Sequence, residues 1–181
     1  MNKIKVLFLC TGNTARSQMA EAFLRRYGSE RFEAYSAGIE PGEINPYVRQ
    51  VMAEIGMDLK GQYSKGVEEY MGKDHFGYLI TVCSEAEKRC PSVFPGVGRR
   101  LHWYFEDPVA FVGSEEETLN QFRKIRDQIK GRIKAWLAEQ NPKKFQASGG
   151  HSSDEAHIRG GWESQKKWKH PYPGLQDPGR G

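Results

Sequence analysis

Three cysteines, one arginine and one aspartate stand where this sequence could do chemistry. The segment Cys10-Thr11-Gly12-Asn13-Thr14-Ala15-Arg16-Ser17 sets a cysteine and an arginine with five residues between them, directly after an apolar run. Small residues let such a segment curl until successive backbone N–H groups point inward. With a helix N-terminus behind it, that nest binds a tetrahedral oxyanion. Arg16 would close the ring with a planar fork suited to two oxygens of the anion. The same dipoles and guanidinium should favour a thiolate at Cys10 and lower its pKa. Ser17 can donate to that sulfur, and Asn13 tolerates the left-handed backbone that would brace the loop. The plainer alternative is a buried cysteine at a strand end with a surface arginine nearby.

The other two thiols lie in Cys83-Ser-Glu-Ala-Glu-Lys-Arg-Cys90-Pro91. Residues 84–89 favour helix, and a helix rises roughly 10.5 Å over seven residues. A disulfide needs Cα atoms within about 7 Å. Cys83 and Cys90 therefore cannot bridge while the helix is intact, and a bond between them requires the segment to unwind. Pro91 disfavours helical geometry at Cys90, so that end is already weak. A zinc site or two unrelated thiols are the alternatives, and one further cysteine with no His-rich pattern fits zinc poorly. Asp107, in Glu106-Asp107-Pro108, could protonate a departing oxygen, although Asp-Pro also marks ordinary turns.

The elements that must position these residues alternate. Strands are expected at Lys3–Cys10, Phe32–Ala37, Tyr78–Cys83 and Leu101–Phe105. Helices are expected at Ser17–Tyr27, Pro46–Ile55 and Leu119–Leu137, with a short one at Val67–Met71. The last long helix carries Phe122, Ile125, Ile129, Ile133, Trp136 and Leu137 on one stripe. Such alternation predicts an α/β fold, a parallel four-stranded sheet flanked by helices. Ligands of these folds sit beyond the carboxyl ends of the strands. Cys10, Cys83 and Asp107 each fall just after an expected strand, so all three should converge there.

Composition bounds the rest. Hydrophobic residues make up 38% of 181, below the usual globular share, which points to a polar segment diluting an ordinary domain. That segment is 141–181, rich in Gly, Pro, Ser, Lys and His, and is expected to be a disordered tail after a domain at 1–140. The net charge of +4 resides mostly in it, since residues 1–140 carry 20 basic and 19 acidic side chains. A nearly neutral domain gives no footprint for nucleic acid. No apolar run reaches the ~20 residues of a spanning helix, so no membrane partner is expected. Three cysteines without a bridge framework fit a cytoplasmic protein with reactive thiols. A monomer is the default expectation.

These residues resemble the thioredoxin-coupled arsenate reductases, which share the low-molecular-weight tyrosine phosphatase fold. Matching stretches are Val-Leu-Phe-Leu-Cys-Thr-Gly-Asn-Thr-Ala-Arg-Ser-Gln-Met-Ala-Glu at 6–21 and Tyr-Ser-Ala-Gly at 35–38. Thr-Val-Cys-Ser at 81–84, Cys90-Pro91, His102-Trp103 and Asp107-Pro108 also match. The first stretch is shared with the phosphatases, whereas the Cys83/Cys90 pair belongs to the reductases. The resemblance implies that Cys10 attacks arsenate held by the loop 11–17 and Arg16, with Asp107 as general acid. It implies that Cys83 then forms a disulfide with Cys10, that Cys90 displaces Cys10, and that thioredoxin reduces the Cys83–Cys90 redox disulfide. No bound cofactor is implied. A low-molecular-weight protein tyrosine phosphatase is the rival reading. Some relatives hold potassium through side chains matching Asn13, Glu21 and Ser36, with a Thr and an Asp where this chain has Tyr63 and Lys65. The lysine puts a potassium site in doubt, and its ammonium is expected to take the cation's place near Glu21.

Overall fold

The computed structural model describes residues 2–140; the expected tail at 141–181 lies outside the described residues. Four strands form one sheet in the order β2-β1-β3-β4, and all three pairings are parallel. β1 (Ile4–Cys10) and β3 (Phe76–Thr81) are central, and β2 (Phe32–Gly38) and β4 (Val97–His102) are the edges. Val6, Leu7, Phe8 and Leu9 have no exposed surface, as a strand covered on both faces requires. The parallel four-stranded sheet with flanking helices is therefore as the alternating pattern predicts.

α1 (Arg16–Tyr27) packs on β1, on β2 and on the long α4 (Glu115–Gln140), which also packs on α2 (Pro46–Ala53). α2 starts where the sequence allows it to. Asn45 accepts a hydrogen bond from the Tyr47 amide and Pro46 fills the first turn, where its missing N–H costs nothing. Gly56, at φ 72°, turns the chain away. The apolar stripe of α4 fastens it to the sheet through Trp136, 2% exposed. Its ring lies 4.9 Å from Phe32, 5.0 Å from Tyr78 and 5.9 Å from Trp103 between centroids.

Several boundaries differ from expectation. β4 runs Val97–His102, four residues earlier than the apolar cue. It is an edge strand holding Gly98, Arg99 and Arg100, so burial leaves no hydrophobic run to read. β3 ends at Thr81, because Cys83 is extended but leaves the ladder to cap α3 (Ser84–Arg89). α4 begins at Glu115 rather than Leu119. Ser114 Oγ accepts from the Glu117 amide, and the Glu117 carboxylate accepts from the Ser114 amide. This reciprocal box starts a helix before its buried stripe begins. The expected helix at Val67–Met71 is a single 3-10 turn, Val67–Glu69.

Candidate active site

Cys10 ends β1, and the next five residues wrap around its sulfur before α1 starts. Four carbonyls of this stretch point away from the centre. Cys10 O, Thr11 O, Gly12 O and Thr14 O accept from the amides of Ile39, Glu40, Gly42 and Asn45 at 2.8–3.1 Å. A trans peptide sets each N–H opposite the preceding carbonyl. The amides of Thr11, Gly12, Asn13 and Ala15 are thereby turned inward, as an anion nest needs. The Asn13 amide reaches Cys10 Sγ at 3.0 Å. Close approach of β2 makes this possible. A Cβ on Gly38 would meet Thr11 O, Gly12 C and Asn13 N at 2.9 Å each, so only glycine fits.

A one-way chain of hydrogen bonds supports the sulfur. Gln62 Nε2 donates to Gln18 Oε1 at 2.8 Å. Gln18 Nε2 donates to Asn13 Oδ1 at 2.9 Å. Asn13 Nδ2 donates to Ser17 Oγ at 2.8 Å, and Ser17 Oγ lies 2.8 Å from Cys10 Sγ. Asn13 holds φ 52°, the lone non-glycine at positive φ among the described residues. Its backbone thus takes the left-handed turn expected of it. Gln18 and Gln62, both buried, join the site only through the fold. Their contribution depends on a contact between segments 44 residues apart, which no local pattern signals.

Burial corrects one expectation. The Cys10 thiol is pushed above the ordinary thiol value, not below it, because desolvation opposes the charged form. The Cys83 sulfur adds to the rise, while Ser17, Arg16 and the Asn13 amide pull the other way. Residue types and spacing reveal the dipoles and the guanidinium, whereas enclosure arises only on folding.

Arg16 Nη1 donates to Phe105 O at 3.1 Å, and Arg16 Nη2 lies 3.3 Å from Asp107 Oδ2. The arginine thus draws the segment after β4 to the loop, and Asp107 converges on it as expected. Asp107 Oδ1 also accepts from the Val109 amide at 3.1 Å, which fixes the carboxyl relative to Pro108.

Cys83 also meets the loop. Its sulfur is 3.4 Å from Thr11 Oγ1 and accepts from the Ala86 amide at 3.4 Å, capping α3. Cys90 caps the far end of α3, its amide bonded to Ala86 O at 2.8 Å. All three cysteines are free and buried. Burial pushes the Cys90 thiol up, Arg100 draws it down, and Glu87 adds to the rise. Among the described residues no group of three or more His, Cys, Asp and Glu is placed to hold a metal ion.

Behind the loop, Lys65 Nζ lies 3.0 Å from Tyr63 O, 3.4 Å from Ser36 Oγ and 3.5 Å from Glu21 Oε2. Ser36 donates to Glu21, and Arg25 pairs with it at 2.5 Å. The Lys65 amide donates to Asn13 Oδ1 at 3.0 Å. The lysine therefore stands beside Glu21, as the sequence reading expects.

Known proteins resemble this chain in sequence and fold. Residues 5–147 match the family described as low molecular weight phosphotyrosine protein phosphatase. An arsenate reductase of Halalkalibacterium halodurans is 40% identical over 136 residues, covering 75% of this chain and 96% of its own length. An arsenate reductase of Bacillus subtilis is 40% identical over 133 residues, covering 74% of this chain and 94% of its own. Among solved structures, a thioredoxin-dependent arsenate reductase of Corynebacterium glutamicum superposes with a TM-score of 0.57 at 28% identity. That match covers 78% of this chain and 64% of the other. An arsenate reductase in its phosphate-binding state gives a TM-score of 0.61 at 30% identity, over 75% of this chain and 98% of the other. A loop that turns its amides onto a cysteine, followed by two more thiols across a short helix, thus comes with sequence likeness over nearly all of the described region, and the chain belongs to the low molecular weight phosphotyrosine protein phosphatase family, on its arsenate reductase side.

Proposed function

We propose that this chain reduces arsenate to arsenite through a relay of Cys10, Cys83 and Cys90, regenerated by thioredoxin. The observation that supports it most is the placement of Cys83, whose sulfur touches Thr11 of the Cys10 loop while Cys90 waits at the other end of α3. A phosphatase needs neither thiol.

Arsenate sits in the amide nest, its negative charge met by Arg16. Cys10 passes its proton to the bound arsenate dianion and attacks arsenic as a thiolate, supported by Ser17 and the Asn13 amide, and a hydroxyl leaves as water with a proton from Asp107. The Cys83 thiolate then attacks Cys10 Sγ. A sulfur–sulfur bond forms, the sulfur–arsenic bond breaks, and its electron pair stays on arsenic, which departs as arsenite. The Cys90 thiolate attacks Cys83 Sγ and expels Cys10 as thiolate. The dithiol of thioredoxin supplies two electrons to the Cys83–Cys90 disulfide and becomes a disulfide itself. Each turnover therefore moves two electrons from thioredoxin to arsenic.

Lys65 fits this scheme as a built-in cation. An ammonium among Tyr63 O, Ser36 Oγ and Glu21 Oε2 repels a second cation, so these residues do not fit potassium. Arsenate-dependent NADPH oxidation in the presence of thioredoxin and its reductase tests the function. Wild type should turn over, and Ser at position 10, 83 or 90 should stop it.

The rival phosphatase reading draws support from the same nest and arginine, which suit phosphate as well as arsenate. Cys83→Ser separates the two: it should abolish arsenite production and leave any hydrolysis of an aryl phosphate intact.

A further inference from the structure

The short helix between the two relay thiols is tied down at its middle. Glu87 is four residues after Cys83 and three before Cys90, and its amide makes a first-turn bond of α3 to Cys83 O at 3.2 Å. Its carboxylate Oε2 accepts from Thr81 Oγ1 at 2.5 Å. Thr81 is 1% exposed and is the last residue of β3. Its oxygen lies 2.8 Å from Nδ1 of His102, the last residue of β4. A hydroxyl has one proton. If Thr81 gives it to the carboxylate, its oxygen is left to accept from the imidazole Nδ1–H. The result is a directed chain from His102 through Thr81 to Glu87, joining two strand ends to the relay helix.

The segment is fixed on either side as well. Cys83 is held at the Cys10 loop by Thr11. Beyond Cys90, Arg100 Nη1 donates to Pro91 O at 2.6 Å and to Ser92 O at 3.2 Å. With one flank held at the Cys10 loop and the other by Arg100 of β4, the path change needed to join Cys83 to Cys90 falls on 84–90. Six helical residues between the thiols keep their Cα atoms about 10 Å apart, outside disulfide reach. Joining them must unwind α3 and part the half-exposed Glu87 carboxylate from Thr81.

We propose that Thr81, Glu87 and His102 form a clasp that holds α3 helical and biases the Cys83/Cys90 couple toward the dithiol. The inference rests on the relay proposed above and adds positioning residues to it. The clasp exists only in the dithiol form, so it opposes closure of the disulfide. By the same amount it favours reopening of that disulfide by an external dithiol. It therefore keeps the couple oxidising enough for thioredoxin to reset.

The test uses the full chain carrying Cys10→Ser, so that Cys83 and Cys90 can pair only with each other. The protein is equilibrated with graded mixtures of reduced and oxidised dithiothreitol. Cys83 and Cys90 lose two electrons and two protons to the oxidised reagent, which becomes the dithiol. The bridged fraction is read by thiol trapping and mass spectrometry. Thr81→Val removes the hydroxyl and keeps the branched shape, and Glu87→Ala removes the carboxylate while raising intrinsic helix propensity. Both should move the equilibrium toward the disulfide by roughly three- to tenfold; tenfold corresponds to about 30 mV. Thr81→Ser restores the hydroxyl and should titrate with the parent. Since Glu87→Ala also removes a charge near Cys90, the Thr81 pair isolates the hydrogen bond.

If the parent forms the bridge and both variants titrate within about twofold of it, or shift the other way, the clasp is wrong and the relay stands. If no Cys83–Cys90 bridge forms in any variant, the relay reading fails and the clasp falls with it.

Discussion

Asn13 Nδ2 donates to Ser17 Oγ at 2.8 Å, which leaves the serine proton free to turn toward Cys10 when its sulfur is charged. A Cys10 thiolate can only accept, so in that form the Ser17 hydroxyl donates to Cys10 Sγ, 2.8 Å away. Among the influences that draw the Cys10 thiol down, that bond is the largest. Ser17→Ala should therefore push the Cys10 titration further up and slow the first chemical step roughly ten- to a hundredfold, the usual worth of a hydrogen bond to a charged group. Thiolate absorbance against pH and single-turnover arsenite release measure the two effects. An unchanged titration would remove Ser17 from the account.

Cys10 also couples protonation to folding. Burial raises its thiol above the ordinary value of 9.0. Between that value and the raised one, the unfolded chain has lost a proton that the folded chain keeps. Stability is then full below about pH 9 and falls as pH rises through the window. Cys90, raised by burial too, has the same sign. The drop in urea midpoint between roughly pH 7 and pH 10 should be smaller in Cys10→Ala than in wild type.

Asp107 touches Arg16 and caps its own turn. Asparagine keeps the capping oxygen but cannot supply a proton. Asp107→Asn should leave the fold intact, by thermal unfolding, and lower single-turnover arsenate reduction about a hundredfold or more.

Cys90→Ser should stop after one turnover with Cys10 and Cys83 joined. Cys83→Ser should stop before any disulfide forms. Thiol trapping followed by peptide mapping distinguishes the two. A Cys90→Ser protein that cycles freely with thioredoxin would show that Cys90 is not the resolving thiol.

Lys65 and Glu21 are both nearly enclosed, with side chains 5% and 4% exposed. Removing the ammonium leaves Arg25 as Glu21's remaining cationic partner. Lys65→Ala should destabilise the fold by about 2 kcal/mol, short of the full penalty for a lone buried charge. Potassium should raise the thermal midpoint of that variant above a sodium control of equal ionic strength. In wild type, potassium should do no more than sodium. A potassium-specific gain in wild type would contradict the role given to Lys65.

Contiguity decided what could be read from the sequence. Cys10 to Ser17 carries its nest, arginine and serine within eight residues, between an apolar run and an amphipathic helix. Local periodicity and residue type were enough to recognise it. The alternation of elements was enough for the parallel sheet and for bringing Cys10, Cys83 and Asp107 to one edge. Cys83 and Cys90 gave their helical spacing for the same reason. The boundaries of β4 were not legible, because an exposed edge strand has no buried run to display.

Tertiary structure alone settled the rest, since it depends on how distant segments enclose one another. Gln62 reaches Gln18 across 44 residues, Arg16 reaches Phe105 across 89, and His102 meets Thr81 only because β4 lies beside β3. The direction of the Cys10 shift belongs here too. Type and spacing name the groups that stabilise a thiolate, but the opposing desolvation is set by how completely the folded chain shuts water out.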